Sequence, residues 1–223
     1  WHADGRGAIT AATIDDARAA FADLVDEHLT RVPAGDRGVE RARLLGSAIA
    51  TGFGEYVFRL ELEQAGDIVE RLVEYRVDGE YVVPAPDGDR TIRLRGVADR
   101  VDLTSRGTFR VYDYKSSRAP HSKVRLQLPV YAFCAERKLA GHRGRNWEVE
   151  SAAYLAVREN EGVVNVIGAK TPRDRALHDG LERLTDTVTR IERREYPVRP
   201  VEPFRCTFCP YPSVCRKDYV GDE

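Results

Sequence analysis

Two short runs of the sequence carry residue types that could bind a metal ion. Asp99 lies within residues 96–102 (GVADRVD), and Asp113 and Lys115 lie within residues 111–115 (VYDYK). Two carboxylates and a lysine suit phosphodiester hydrolysis, because Mg²⁺ prefers hard oxygen ligands, keeps bound water and makes that water more acidic. The lysine would orient or deprotonate the attacking water. The same residues also fit a plain hairpin with an Asp–Lys ion pair and a second, unrelated aspartate.

The turn between the two runs predicts how the aspartates meet. The sequence SRG, which ends at Gly107, is typical of a three-residue hairpin loop in which the glycine has a positive φ. Asp99 then lies opposite Asp113, with Cβ atoms about 4.5–5.5 Å apart, and like charges so close favour a cation between them. Because side chains alternate along a strand, Lys115 shares the face of Asp113, and Asp102 points to the other face. A bulge at Gly107 would shift this pairing by one residue.

Hydrophobic periodicity surrounds these runs with helices and further strands. Apolar residues recur at helical spacing in some segments and alternate with charged residues in others. Their order predicts an α/β fold with one mixed central sheet flanked by helices, followed by an irregular Cys-rich tail. The predicted helices cover residues 14–30, 39–60, 123–140 and 174–194, and the predicted strands cover 73–77, 81–83, 91–104, 108–115, 149–157 and 163–168, the first two forming a hairpin around residues 78–79.

Composition describes an ordinary globular chain. The 223 residues are 42% hydrophobic and 32% charged, which is enough to bury a substantial core. No run approaches the roughly 18 consecutive apolar residues of a membrane span, and no signal segment opens the chain, so we expect a cytoplasmic location and no membrane partner. The chain starts at Trp1 and contains no Met, which we interpret as the mark of an internal or processed fragment.

Charge is distributed unevenly along the chain. The net charge is only −1, yet the segment from Arg106 to Arg145 contains ten Lys and Arg residues against Asp113 and Glu136. Such a segment could hold a phosphate backbone. A solvated basic face is an equally consistent interpretation.

A third run of residues, taken with the first two, makes the sequence pattern typical of one protein family. Residues 96–102, 111–115 and 127–132 (QLPVYA) resemble, in order and spacing, the successive motifs of RecB-like PD-(D/E)XK exonucleases. The resemblance implies a restriction-endonuclease-like core and a Mg²⁺- or Mn²⁺-dependent DNA exonuclease. It also implies that Asp99, Asp113 and the carbonyl of Tyr114 ligate the metal and that Lys115 is the catalytic lysine.

The third run adds two further candidates. Gln127 and Tyr131 are one helical turn apart, so both could point at the same site and at the phosphate. Their alternative role is that of a partly buried polar pair on a helix. Pro129 lies between them and weakens the prediction of a helix there.

Three of the four cysteines lie close together in the Pro-rich tail. On spacing alone, Cys206, Cys209 and Cys215 indicate a metal site, most often zinc. They also resemble the C-terminal part of the iron–sulfur staple of AddB-type helicase-nuclease subunits and of CRISPR spacer-acquisition nucleases, which implies a 4Fe–4S cluster. The sequence departs from that family twice, since no cysteine precedes Cys134 and Ala50 stands where a metal-binding His is expected. We therefore expect the missing ligands upstream of this chain.

These features predict three parts: an N-terminal helical part (1–66), a nuclease core (67–195) and a Cys-rich tail (196–223). We expect DNA, single-stranded or as duplex ends, as the substrate. A helicase subunit or domain is the expected partner, in a helicase-nuclease for double-strand break processing and recombinational repair. The sequence has no Walker-type phosphate loop, so we expect no ATP hydrolysis by this chain. Two alternatives are a stand-alone CRISPR-associated-type single-strand exonuclease and a catalytically silent DNA-binding or scaffold module.

Overall fold

A computed structural model describes most of the chain, namely residues 1, 6, 8–64, 66–86, 88–115, 118–122, 125–156, 162–196 and 203–215. Within these residues the structure has five helices and nine strands, with short 3₁₀ turns at His142–Gly144 and Pro203–Phe208. The helices are α1 (Ile14–Thr30), α2 (Arg37–Leu45), α3 (Phe53–Gln64), α4 (Gln127–Lys138) and α5 (Arg173–Glu192), and the strands are β1 (Gly46–Ser47), β2 (Ala50–Thr51), β3 (Ile68–Arg76), β4 (Gly79–Val83), β5 (Arg90–Leu94), β6 (Val97–Thr104), β7 (Thr108–Lys115), β8 (Glu148–Ala156) and β9 (Val163–Ile167).

A five-stranded mixed sheet forms the centre, in the order β3-β6-β7-β8-β9. Strands β7 and β8 run parallel, and the other neighbours pair antiparallel. The connection between the parallel strands contains α4, as the crossover between parallel strands requires. The prediction of an α/β fold with a mixed central sheet flanked by helices is therefore confirmed.

The two faces of this sheet bury different helices. Val101 and Val111 belong to the main core together with Leu128 of α4 and with Leu181 of α5. Residues of opposite parity, including Tyr112, pack instead against Leu60 of α3 and its neighbours. Strand alternation thus sends the odd-numbered residues of this hairpin to the α4–α5 layer and the even-numbered residues to the α3 layer.

The β6–β7 hairpin has the predicted register. Val101 pairs with Val111 and Leu103 pairs with Phe109. Gly107 has φ +83° and donates its N–H to the carbonyl of Thr104 at 3.2 Å, which closes the tight turn. The pairing is not shifted over residues 100–103 and 109–112, so side-chain parity is kept over these paired residues.

The prediction of one long helix over 39–60 is wrong. Helix α2 stops at Leu45, a β-hairpin of β1 and β2 follows, and α3 begins at Phe53. Gly46, with φ +92° and ψ 179°, takes a conformation that is essentially restricted to glycine. Ile49, expected on the apolar face of a helix, lies in the hairpin turn and is 96% exposed.

The predicted hairpin around residues 78–79 is also wrong. Strand β3 pairs with β6 in the central sheet, and β4 pairs with β5 in a separate two-stranded sheet. The chain leaves the central sheet after β3 because Asp78 accepts the N–H of Gly96 at 2.9 Å, and Val77 donates to the carbonyl of Gly96. These bonds also divide the strand predicted over 91–104 into β5 and β6.

The remaining elements follow the sequence pattern with shifted ends. Helix α4 starts at Gln127 rather than at residue 123, which lies outside the described residues, as do 124 and 157. Pro129 falls in the first helical turn, where its missing N–H would have no intrahelical partner in any case. Helix α5 is amphipathic, and no helix among the described residues is long and apolar enough to cross a membrane. Of the predicted irregular tail, 197–202 and 216–223 lie outside the described residues, and the remainder contains the 3₁₀ turn.

Candidate active site

The candidate site lies at one end of the β6–β7 hairpin. Asp99 directly precedes Arg100 on β6, Asp113 directly follows Tyr112 on β7, and Arg100 pairs with Tyr112. Asp113 is near the end of β7, and Lys115 is its last residue. The predicted placement of the two aspartates on adjacent antiparallel strands is therefore confirmed.

Asp113, Lys115 and Gln127 form a closed triangle of polar contacts. Lys115 Nζ lies 2.6 Å from Asp113 Oδ2, which confirms that the two side chains share a face. Gln127 Nε2 donates to Asp113 Oδ1 at 2.7 Å, and Gln127 Oε1 accepts from Lys115 Nζ at 3.1 Å. The first turn of α4 is thus fastened to the end of β7 through two charged groups.

Asp99 approaches the same place from β6. Its Oδ2 accepts the main-chain N–H of Tyr114 at 2.7 Å, so the carboxylate takes the place of a sheet partner at the end of the hairpin. This contact holds Asp99 beside the peptide that joins Asp113 to Tyr114. The two carboxylates and that peptide therefore converge.

Burial makes Asp113 an unfavourable place for an isolated negative charge. Its side chain is buried, with 2% of the residue exposed. Burial raises the pKa of Asp113, Lys115 and Gln127 oppose that rise, and the nearby charge of Asp99 adds to it. Although Oδ2 lies close to Lys115, no aligned hydrogen bond reaches this buried atom. A cation at Oδ2 would meet an oxygen that still has lone pairs to offer.

The donor set fits a hard divalent ion. Among the described residues no group of three or more His, Cys, Asp or Glu side chains is arranged to hold a metal, so the site offers only the carboxylates of Asp99 and Asp113. Mg²⁺ commonly binds through one or two carboxylates and keeps water and substrate phosphate as its other ligands. Two carboxylates, one of which also contacts Lys115, match that pattern better than a closed protein cage.

Tyr131 lies beside the site rather than within the triangle. Its ring packs so closely on Gly96 that a Cβ at this glycine would lie 2.7 Å from the ring. Gly96 is three residues before Asp99, about 10 Å along the strand. Among the described contacts, Tyr131 takes no part in those that join Asp113, Lys115 and Gln127.

A residue that the sequence did not single out forms the floor of the site. Tyr154 of β8 pairs with Asp113 of β7, and Lys115 Nζ lies 5.5 Å from the centre of its ring. Burial, with a contribution from the charge of Asp113, raises the pKa of Tyr154 to about 12. Nothing in the apolar strand sequence distinguishes this tyrosine from a core residue, because its role depends on the parallel pairing of β7 with β8.

Asp102 points to the opposite face, as predicted. It is fully buried and accepts hydrogen bonds from Arg71 Nε at 2.6 Å and from Arg100 Nε at 2.8 Å. Both arginines also contact Glu61 of α3. This buried charge network joins α3 to β3 and β6, and it is separated from Asp99 by the sheet.

Among the described residues of the segment from Arg106 to Arg145, several basic side chains have local partners rather than forming one phosphate-binding face. Arg106 and Arg110 pair with Asp67 and Glu150 at the turn end of the hairpin. That end is about 23 Å along β7 from Lys115. Arg143 pairs with Glu70, and Arg137 stacks on the ring of Phe133. The charge run is therefore divided among separate local partners.

The three tail cysteines are not assembled into a metal site. Cys206, Cys209 and Cys215 are free and partly exposed, and no metal-holding group of three ligands occurs among the described residues. The metal site that their spacing indicates is therefore not found among the described residues. Cys134 is fully buried on α4, as a small apolar residue would be.

Comparison with known proteins gives one positive result. The sequence profile of the PD-(D/E)XK nuclease superfamily matches residues 7–216. Among curated proteins, none matches the chain closely enough to count as a relative. The matched range includes Asp99, Asp113, Lys115 and Gln127, so the candidate site lies within the region that matches the family.

Proposed function

This chain belongs to the PD-(D/E)XK nuclease superfamily, and on that premise we propose that it is a Mg²⁺- or Mn²⁺-dependent DNA exonuclease. The proposal rests on one observation, the triangle of Asp113, Lys115 and Gln127 beside the carboxylate of Asp99. Asp99, Asp113 and the main-chain carbonyl of Tyr114 would hold the ion. When bound there, the ion would neutralise charge on the scissile phosphate and lower the pKa of water. Residues 67–195 form the proposed nuclease core.

The protein groups would position the reactants around that phosphate. The ammonium of Lys115 has three N–H groups, and its position places it within reach of Asp113 and Gln127. A remaining N–H can orient the attacking water and stabilise the charge that develops on the phosphate. The ring of Tyr154 lies below Nζ and limits where the ammonium can move. We propose that Tyr131, beside Gly96, contacts the scissile phosphate on the side away from Lys115.

The test is hydrolysis of labelled single-stranded and duplex DNA by the purified chain. We expect degradation with Mg²⁺ or Mn²⁺, and we expect EDTA to stop it. Asp113→Ala and Lys115→Ala should abolish the activity. Asp113→Ala should leave the melting temperature almost unchanged, because removing this carboxylate also removes its burial cost and its repulsion from Asp99. Asp15→Ala, at an exposed position of α1, serves as the control. Activity that survives Asp113→Ala would refute the metal site.

A second function is favoured by the sparse ligand set. With two carboxylates and no further metal-binding group among the described residues, the domain could serve as a silent DNA-binding or scaffold module. Such a module would bind DNA without metal and would show no hydrolysis with either ion. The same assay, paired with a DNA-binding measurement, separates the two functions.

The setting of the activity follows from the resemblance of the motifs to AddB-type subunits. We infer that the chain works with a helicase subunit or domain during double-strand break processing. A helicase partner predicts that duplex ends are degraded only when an ATP-driven helicase is added. Degradation of single strands alone, with no stimulation by the helicase, would favour the CRISPR-associated type.

For the tail we infer that Cys206, Cys209 and Cys215 bind a 4Fe–4S cluster when a fourth ligand is supplied from outside this chain. The spacing and the resemblance support this, whereas the described residues do not build the site. Iron, sulfide and zinc analysis of the protein purified without oxygen decides it. Stoichiometric zinc would replace the cluster, and the absence of both metals would leave ordinary thiols.

A further inference from the structure

A cleft of about 510 Å³ opens between α3 and the edge strand β9. Its volume is in the range of small-molecule sites in proteins, roughly 300–1,000 Å³. The side chains that line it combine an aromatic ring, a guanidinium, an amide and a hydroxyl with apolar walls, and they include Thr51, Tyr56, Arg59, Glu63, Val163 and Asn165. The cleft is separate from the triangle around Asp113.

The chemistry of the lining suits a nucleobase better than a phosphate. Arg59 Cζ lies 5.9 Å from the centre of the Tyr56 ring, and an aromatic ring beside a guanidinium is a common platform for base stacking. Asn165 can exchange hydrogen bonds with a base edge, since its amide offers both donor and acceptor. Glu63 offsets the charge of Arg59, so the cleft does not concentrate positive charge for a phosphate group.

The cleft and the proposed catalytic site lie near the same end of the sheet but on opposite faces. Tyr114 of β7 pairs with Leu155 of β8, and Leu155 pairs with Val163 of β9, which lines the cleft on the α3 face. Neighbouring strands are about 4.8 Å apart, so the cleft wall lies roughly 10 Å from β7 within the sheet. A DNA strand would also have to pass around the end of β7 to reach the α3 face.

Aromatic side chains lie between the end of β7 and the cleft. The ring of Tyr114 is 38% exposed and meets Phe53 of α3 edge to face, with centroids 6.2 Å apart. Tyr56 follows one turn later on α3, and the base of its ring lies against Gly162. Gly162 in turn accepts the N–H of Ala156, at the end of β8. A DNA strand that passes around the end of β7 from the catalytic site would meet these rings before reaching Arg59.

We propose that this cleft binds a nucleobase of the single-stranded DNA substrate, several nucleotides from the scissile phosphate, by stacking on Tyr56 and Arg59. The inference rests on the proposed nuclease function and names the substrate form as an unpaired strand. A base held at this distance would fix the position of the strand end relative to Lys115. Tyr56 and Arg59 therefore act as positioning residues.

The test uses thymidine oligonucleotides that carry one 2-aminopurine at successive positions from the 5′ or 3′ end, mixed with the full chain in EDTA. Fluorescence of 2-aminopurine falls when the base stacks on an aromatic ring. We expect quenching at one position near one end. Tyr56→Ala should remove that quenching and weaken binding about tenfold, whereas Tyr56→Phe should retain both.

Arg59→Ala, at an exposed position, should weaken binding without unfolding the chain, and Tyr196→Ala, at an exposed tyrosine outside the cleft, should change neither signal. Equal binding and quenching by wild type and Tyr56→Ala would overturn the cleft proposal while leaving metal-dependent hydrolysis intact. Position-specific quenching in a chain that never hydrolyses DNA would support the cleft and refute the nuclease function. A wild-type chain that does not bind the oligonucleotides would overturn the cleft.

Discussion

Burial and polar contacts act on the carboxyl group of Asp113 in opposite directions, and a bound cation would favour its charged form. Its burial raises the pKa of the carboxyl group, while Lys115 and Gln127 favour the charged form through direct contacts. The remaining lone pairs of Oδ2 have no aligned donor. Under the proposed function we therefore expect metal binding to depend chiefly on Asp113, with Gln127 orienting its carboxylate.

Substituting Gln127 tests that orienting role. We expect Gln127→Ala to lower nuclease activity about 10–100-fold and to raise the metal concentration needed for half-maximal rate, as loss of an outer partner of a metal ligand commonly does. Titration of the rate with Mn²⁺ measures both effects. Gln64→Ala is the matched control, because Gln64 accepts a hydrogen bond from Tyr112 on the other face of the sheet. An unchanged metal dependence in Gln127→Ala would contradict the orienting role.

The sequence could predict some site residues and not others. Asp99, Asp113 and Lys115 follow from strand alternation and one tight turn, which are local rules with a period of two residues. Tyr154 and Tyr56 could not be found in this way. Each reaches its place only through the pairing of β8 with β7 or through the packing of α3, and these contacts join residues distant in sequence.

At the scale of elements, Gly46 decides where α2 ends and where the β1–β2 hairpin begins. Its φ of +92° with ψ of 179° excludes other residues at a cost of about 1–3 kcal/mol. A Cβ there would also lie 2.7 Å from the nitrogen of Gly52. The helical periodicity of residues 39–60 failed as a predictor because it counts apolar spacing and does not register this backbone requirement.

A pair of glycine substitutions tests whether the backbone conformation of Gly46 ends α2. We expect Gly46→Ala to lower the free energy of unfolding by about 1–3 kcal/mol. Gly38→Ala should be neutral or stabilising by up to about 1 kcal/mol, because Gly38 is helical, with nothing within 4 Å of its added Cβ. Urea denaturation measures both. If Gly46→Ala were as stable as Gly38→Ala, a continuous helix would be the better description.

Substituting Asp102 tests how strongly the buried charge network stabilises the attachment of α3 to the sheet. Removing one partner of a buried ion pair commonly costs about 3–5 kcal/mol, because the other charge stays buried. We expect a loss of that size for Asp102→Ala, which leaves Arg71 and Arg100 without their shared carboxylate. Asp186→Ala, in an exposed pair with Arg190 on α5, should cost less than about 1 kcal/mol. Similar losses in both variants would contradict a structural role for the network.

At the scale of the whole molecule, opposite charges are paired locally rather than gathered on separate faces. The formal charge is −1, and several basic residues of the 106–145 segment meet carboxylates or aromatic rings close by, whereas Arg125 donates to the main-chain carbonyl of Pro120. The mixed central sheet flanked by helices was predictable because it depends on hydrophobic periodicity and on the alternation of helical and strand patterns. The surface charge was not, because acidic partners such as Asp67 and Glu70 come from a different part of the chain.

The four cysteines provide a test of how the tail lies on the rest of the molecule. Cys134 is fully buried, and burial raises the pKa of its thiol to about 11, whereas Cys206, Cys209 and Cys215 are partly exposed. Because the thiolate is the reactive form, we expect a disulfide reagent at pH 8 to label the three tail thiols of the metal-free folded chain.

The fourth thiol should react only after denaturant is added. Cys134→Ala should leave the rapid phase at three thiols per chain and eliminate the slow one, as a matched control. Fewer than three rapid thiols would show that the tail packs its cysteines away from solvent or already holds them in a metal centre, and iron and zinc analysis of the same sample would separate those cases. A rapid phase of four would show that the α4 core opens in the native chain.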